Sequence, residues 1–143
     1  MTDQIEIALA EIRFDDNGLV PVIAQQHDTG EVLMLAWMNA DAVRASLTER
    51  RACYWSRSRA KLWRKGETSG QIQWLREMRL DCDGDAVLVL VEQRGVACHT
   101  WRRSCFFRAW RNGGWAVIAE PQEPPPAAAG TSDLPAPVGP EPN

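Results

Sequence analysis

The stretch LVPVIAQQHDTGEVLMLAWM, residues 19–38, decides the fold of this chain. It holds two apolar runs rich in Val, Ile and Leu, Leu19–Gln25 and Glu31–Met38, on either side of the turn-forming residues His27–Gly30. Apolar runs joined by a short turn that contains glycine are typical of a β-hairpin. We therefore expect an antiparallel pair of strands here.

A helix is expected directly after this hairpin. Asn39 is a good N-cap, and Val43 and Leu47 would share the inner face of a helix from Ala40 to about Arg50. Further apolar runs predict strands over residues 52–56, 72–80, 86–92, 106–110 and 115–119, whereas 58–69 has the character of a loop. The predicted fold class is α+β, mostly antiparallel β-sheet with one or two short helices.

Length and composition limit the class of protein. The 143 residues, 45% hydrophobic and 24% charged, suit one soluble domain. No apolar run approaches the roughly 20 residues that span a bilayer, and no signal-type stretch begins the chain, so we expect a cytoplasmic protein without membrane contact. Because eight of the nine prolines lie at or after Pro121, we expect residues 1–119 to fold and 120–143 to form a disordered, acidic, Pro/Ala-rich tail.

Basic residues are concentrated in the middle of the chain, although the formal net charge is −3. Residues 50–79 contain many Lys and Arg, opposed only by Glu67 and Glu77, and this local excess suits an anionic ligand. Hydroxyl and guanidinium groups are the usual partners of phosphate oxygens, although a solvated basic loop is the alternative. The candidate binding residues are Ser56, Arg57, Ser58, Arg59, Lys65, Glu67 and Ser69.

Candidate metal ligands are concentrated between residues 81 and 105. Thiolates suit zinc and carboxylates suit magnesium, and three thiolates would leave the fourth zinc position open for catalysis. If residues 81–85 are extended, alternation puts the three aspartates on one face and Cys82 on the other; the alternative is an acidic hairpin turn. The candidates are Cys82, Cys98 and Cys105 for zinc, and Asp81, Asp83 and Asp85 for magnesium.

His99 is the candidate catalytic residue. Next to a metal ligand, it could act as general base for an activated water or contact the metal itself, although a lone histidine is often only a satisfied polar residue. Each cysteine could likewise be an ordinary small buried residue, as we expect for Cys53. The tryptophans among the arginines are typical of nucleic-acid stacking, but most lie in apolar strands and the body is near neutral, so we expect no nucleic acid to bind.

The ordered set of motifs resembles the phosphoribosyl-AMP cyclohydrolase family of histidine biosynthesis. The likeness runs from about residue 18 to residue 115, and the set is far more specific than any single motif. The matching motifs are VLMLAWMN (32–39), YWSRSR (54–59), LWRKGE (62–67), DCDGD (81–85), ACHT (97–100) and SCF (104–106).

The resemblance implies a zinc- and magnesium-dependent hydrolase that opens the adenine ring of N1-(5-phosphoribosyl)-AMP at the N1–C6 bond, the third step of histidine biosynthesis. It implies an intertwined homodimer in which Cys82 of one subunit joins Cys98 and Cys105 of the other at a shared zinc ion. The three aspartates would hold magnesium, which together with the basic loop would hold the phosphates of this phosphorylated nucleotide. His99 would manage protons.

Three positions depart from the family pattern. Trp101 and Ala60 stand where glycine is usual, and Gln71 stands where Asn or His is common. A tryptophan should remove the freedom to adopt positive φ and add a bulky ring near the expected metal. The alternative function is therefore a catalytically silent nucleotide-binding relative with its pocket occluded by Trp101.

Overall fold

The computed structural model describes residues 2–122, so nearly all of the predicted acidic tail lies outside the described residues. Helix α1 spans Thr2–Ala10 and helix α2 spans Ala40–Glu49. Neither of these helices is long and apolar enough to cross a membrane. Helix α1 was not predicted, because its apolar residues at positions 5, 7 and 9 alternate as in a strand and hide the helical period.

The strands of residues 2–122 form one four-stranded sheet and two hairpins. In the larger sheet the order is β2-β1-β6-β5, while β3 pairs with β4 and β7 with β8. The α+β class with mostly antiparallel pairing is confirmed. The strands are β1 (Val20–Gln26), β2 (Val32–Met38), β3 (Cys53–Ser56), β4 (Lys61–Arg64), β5 (Gln73–Leu80), β6 (Val87–Gln93), β7 (Arg108–Arg111) and β8 (Gly114–Val117).

The predicted hairpin of residues 19–38 is confirmed, and its register pairs Val20 with Met38. One central pairing is parallel, because β1 lies beside β6 with Val22 opposite Val87. A strand paired on both sides can bury its apolar residues, which agrees with the continuous run of Val and Leu in β6. The centre of the sheet is therefore made from segments that are distant in sequence.

The predicted loop over residues 58–69 is wrong in part, since Lys61–Arg64 forms strand β4. Tyr54 lies opposite Trp63 in the β3–β4 hairpin, and their rings lie 5.4 Å apart between centroids. Lysine and arginine at the two ends of this short strand mask its apolar centre in the sequence. The hairpin covers part of the core because Leu62 and Trp63 pack against it.

The core lies between one face of the four-stranded sheet, the two helices and the β3–β4 hairpin. The predicted N-cap is confirmed, because the Asn39 side chain accepts a hydrogen bond from Ala42 N at 2.8 Å. Ser46 of α2 is buried and bonds both backbone groups of Cys53, which ties the helix to β3. These contacts attach α2 to the end of β2 and to the β3–β4 hairpin.

Candidate metal centre

Cys98 and Cys105 lie together at one end of the four-stranded sheet. Cys105 N donates to Leu33 O at 2.7 Å, which fixes Cys105 beside the start of β2. Cys98 N donates to Arg102 O at 3.1 Å, so the intervening residues form a tight loop. This arrangement brings the two thiols next to each other, within hydrogen-bonding distance.

The environment of Cys98 favours the thiolate form. A hydrogen bond from the Cys105 thiol, aided by bonds from Thr100, lowers the pKa of Cys98 to about 5 even though burial acts in the opposite direction. The Thr100 hydroxyl lies 2.9 Å from the Cys98 sulfur. Because zinc binds thiolates, this pair of sulfurs fits one half of a zinc site.

His99 is exposed and lies in the turn between Cys98 and Trp101. Trp101 N donates to Cys98 O at 3.0 Å and closes this turn. Trp101 adopts φ 65°, and Ala60 adopts φ 53°, so both residues keep the positive φ that glycine favours. The expectation that a tryptophan removes this backbone conformation is therefore wrong.

Residues 81–85 form a turn between β5 and β6, so the extended arrangement is wrong and the hairpin-turn alternative is confirmed. Asp81 N donates to Ala86 O, and Asp85 N donates to the Asp81 carboxylate, each at 3.0 Å. Gly84 adopts φ 78°, and a Cβ there would lie only 2.8 Å from Glu11 O. Local hydrogen bonding, rather than strand alternation, sets the directions of the side chains.

The acidic turn brings a thiol and two carboxylates together. Ligand atoms of Asp81, Cys82 and Asp83 lie within 4.8 Å of one another, and all three residues are exposed. Cys82 therefore does not point away from its neighbours. Its thiol donates to Asp83 at 2.9 Å, and this bond raises the pKa of Cys82, while repulsion by Asp81 raises the pKa of Asp85. The turn can hold a cation through these oxygens.

One chain does not bring all three cysteines to one ion. Cys82 precedes β6 and Cys98 follows it. A strand rises by about 3.3 Å per residue, so the seven residues of β6 separate the two ends by roughly 20 Å. Among residues 2–122, three metal-binding side chains of one chain come together at the acidic turn.

The candidate binding residues divide between the two ends of the sheet. The exposed Arg57–Arg59 segment turns between β3 and β4, and the Arg57 guanidinium lies 4.7 Å from the ring centroid of Trp37, near the end of β2. Ser56 is buried in this turn, and its hydroxyl accepts a bond from Arg59 N at 3.2 Å. This part of the predicted site lies at the end of the sheet that carries the acidic turn.

The other candidates lie at the Cys98 end. Lys65 is buried, with 7% of its surface exposed, and its Nζ donates to Ala97 O at 2.7 Å. Glu67 is exposed, and Ser69 Oγ accepts a bond from Gln71 N at 3.2 Å. The single basic loop predicted from sequence is therefore two separate groups.

Sequence reasoning missed a set of buried glutamines behind the thiol pair. Gln73 accepts a hydrogen bond from the Tyr54 hydroxyl at 2.6 Å and donates to Gln93 at 2.8 Å. Gln93 N in turn donates to Gln26 Oε1 at 3.1 Å. In the sequence, the signal for this buried network was a glutamine at an inward-facing position of an otherwise apolar strand.

The fold and these groups define a small α+β protein with a pair of adjacent thiols at one end of its sheet and an acidic turn at the other. The family profile described as phosphoribosyl-AMP cyclohydrolase matches residues 34–107. This chain belongs to the phosphoribosyl-AMP cyclohydrolase family.

Individual relatives agree with this assignment. The phosphoribosyl-AMP cyclohydrolase of Rhodospirillum centenum is 65% identical over 123 residues, which cover 86% of this chain and 92% of the relative. That of Granulibacter bethesdensis is 63% identical, over 85% of this chain and 92% of the relative. That of Pseudomonas fluorescens is 60% identical, over 77% and 84%. The similarity therefore includes both ends of the sheet.

Proposed function

We propose that this protein is a zinc- and magnesium-dependent homodimeric cyclohydrolase that opens the adenine ring of N1-(5-phosphoribosyl)-AMP. The observation that carries the proposal is the pair of adjacent thiols, Cys98 and Cys105, joined by a hydrogen bond between their side chains, in a member of this family. Relatives that bear the name of the enzyme match most of the chain. This match does not favour the alternative of a catalytically silent relative.

The distance along β6 supports a shared site. Because roughly 20 Å separates the two ends of this strand, a three-thiolate site needs a second copy of the chain. In a symmetric dimer, each zinc would be held by Cys98 and Cys105 of one subunit and by the partner subunit's Cys82. The exposure of Cys82 and the acidic turn leaves them accessible to such a partner.

The chain's residues would divide the reaction as follows. Zinc supplies the Lewis acidity that activates water for addition at C6. His99, exposed beside Cys98, accepts the proton that the water gives up. As the N1–C6 bond breaks, that proton passes to N1. The second proton of the water passes to the exocyclic nitrogen on C6, so that C6 becomes the carbonyl carbon of a carboxamide. The turn at residues 98–101, closed by the bond from Trp101 N to Cys98 O, would keep His99 beside the Cys98 thiol.

The phosphate groups would be bound at the other end of the sheet. Asp81, Asp83 and Asp85 offer the carboxylate oxygens that magnesium prefers, so they would hold this ion, whose positive charge would favour phosphate binding. The exposed turn with Arg57, Ser58 and Arg59 adds positive charge and hydroxyl donors. Binding at this end would orient the purine towards the zinc of the same dimer interface.

The test is metal content and turnover of the purified protein. We expect bound zinc, loss of the purine-ring absorbance on incubation with phosphoribosyl-AMP, and loss of both zinc and turnover in Cys98→Ala. Cys53→Ala is the matched control, because Cys53 is a buried cysteine whose thiol bonds Arg51 O at 3.5 Å. A zinc-free protein in which Cys98→Ala leaves turnover unchanged would contradict the proposal.

A further inference from the structure

The backbone just before Cys98 is held by side chains from several parts of the chain. Residues 94–97 belong to no helix or strand. They lie between β6 and the loop of residues 98–102, which we call the thiol loop. Each of these four residues has a backbone group bonded to a side chain. Gln93 Nε2 donates to Arg94 O at 2.8 Å, Arg103 Nη1 to Gly95 O at 2.7 Å, Lys65 Nζ to Ala97 O at 2.7 Å, and Val96 N donates to Gln71 Oε1 at 2.8 Å.

We call these four side chains, Lys65, Gln71, Gln93 and Arg103, the backbone clamp. Two of them, Lys65 and Arg103, make further contacts. Lys65 Nζ lies 5.7 Å from the ring centroid of Trp63. Arg103 also bonds Gln26 Oε1 at 2.9 Å and pairs with Glu31 at 3.2 Å. Because four side chains bond this short segment and two of them are held by further contacts, the clamp restricts the carbonyl and amide directions of residues 94–97.

We propose that Lys65 and Gln71 are positioning residues, which fix Cys98 relative to Cys105 and pre-form the two-thiol half of the proposed zinc site. This inference rests on the proposed zinc site and changes the expected role of Lys65, which the sequence assigned to substrate binding. Lys65 is buried and directed at the residue before Cys98, so its ammonium serves the thiol loop. A pre-formed site binds metal more tightly, because the loop need not be ordered at the moment of binding.

A substitution at Gly95 offers a second, independent way to disrupt the clamp. It adopts φ 71°, and a Cβ at this position would overlap the side-chain oxygen of Gln71. Since that oxygen is at the end of a flexible side chain, Gly95→Ala would displace Gln71 and break its bond to Val96. Gly18→Ala is the matched control, because Gly18 has φ 77° with no atom within 4 Å of the added Cβ.

The test is cobalt binding to the full chain, followed by the thiolate-to-cobalt charge-transfer band and by competition with zinc. We expect Lys65→Met, Gln71→Leu and Gly95→Ala to weaken metal affinity by about 10- to 100-fold, the usual effect of losing a group that orients a ligand. Gln71→Glu keeps the acceptor for Val96 N and should retain most of the affinity. Gly18→Ala, and Arg111→Met at an exposed basic position, should bind cobalt like the wild type.

Kinetics at saturating zinc separate the two roles of Lys65. A positioning residue predicts a lower kcat in Lys65→Met with KM changed less than about threefold. A large rise in KM with unchanged cobalt affinity would assign Lys65 to substrate phosphate and overturn the inference. If the clamp variants bind cobalt like the wild type, the inference fails but the proposed function stands; if the wild type binds no metal, both fail. Urea unfolding of each variant shows that the comparison is between folded proteins.

Discussion

Four non-glycine residues among residues 2–122 have positive φ, and two of them, Ala60 and Trp101, have φ values of 53° and 65°. The left-handed region costs about 1–2 kcal/mol for a residue with a Cβ, while glycine loses about 0.5–1 kcal/mol more chain entropy on folding. We therefore expect Ala60→Gly to raise the free energy of unfolding by roughly 0.5–1 kcal/mol, measured by urea denaturation. Ala45→Gly, inside helix α2, should lower it by about 1 kcal/mol. A destabilised Ala60→Gly would show that the turn is not strained.

The same reasoning gives a prediction for Trp101. Its N–H bonds Cys98 O and its carbonyl accepts a bond from Gln122 N at 2.6 Å, so the turn is already closed around it. Trp101→Gly keeps this backbone shape, and we expect kcat/KM to change by only a few-fold, about 1 kcal/mol or less in transition-state free energy. A gain of more than about a hundredfold would show that the tryptophan ring occludes the pocket.

At the scale of elements, Glu49 and Arg64 connect the end of α2 to β4 through two hydrogen bonds of 2.9 and 2.7 Å. The bond from Arg64 lowers the pKa of Glu49 in the folded state. Its stabilising contribution is therefore complete above the unfolded pKa, near 4.3, and is lost as the pH falls through the lower folded value.

Glu49→Gln should accordingly reduce the free energy of unfolding near pH 7 by no more than about 1 kcal/mol, since about a third of each side chain is exposed. The difference from the wild type should shrink as the pH falls towards about 3. Glu92→Gln, which breaks the more exposed pair with Arg76, is the control and should have a smaller effect. A loss of stability that does not depend on pH would mean that packing, not charge, accounts for it.

Elements with a clear pattern could be predicted from sequence. The β1–β2 hairpin and strand β6 have long apolar runs, and Asn39 marks the start of α2. Strand β4 could not be found because two charged residues surround its short apolar centre, and α1 could not because its apolar residues alternate. In the acidic turn, the expected alternation of side chains between two faces fails, because alternation holds only in an extended strand. Backbone hydrogen bonds of Asp81 and Gly84 direct the side chains of the turn instead.

The site could be predicted only as a set of residues. The motifs named the thiols and carboxylates, but adjacency along the chain does not show that β6 separates Cys82 from Cys98. Nor does it show that Lys65 is buried against Ala97, since a lysine in a basic, glycine-containing segment is normally expected in solvent. Distances across a fold depend on strand pairing, which local patterns do not encode.

At the scale of the whole molecule, a shared site predicts complementation between inactive variants. Cys82→Ala and Cys98→Ala should each be inactive as homodimers. In a mixed dimer one of the two sites would combine the intact Cys82 of one subunit with the intact thiol pair of the other, so an equal mixture after subunit exchange should recover about a quarter of wild-type activity. Mixing Cys98→Ala with Cys105→Ala is the control and should recover none. No recovery in the first mixture would place all three cysteines of each site in one subunit.

The parallel pairing of β1 with β6 also has a consequence for how the chain is made. Val22 and Val87 are neighbours in the sheet, although most of the folded chain lies between them. Closing so long a loop is entropically slow, so the sheet is completed late in folding. During synthesis, one apolar edge of the β1–β2 hairpin remains unpaired until β6 has been translated. Newly made chains are therefore most prone to aggregation in that interval, and chaperones that shield strand edges should increase the yield of folded protein.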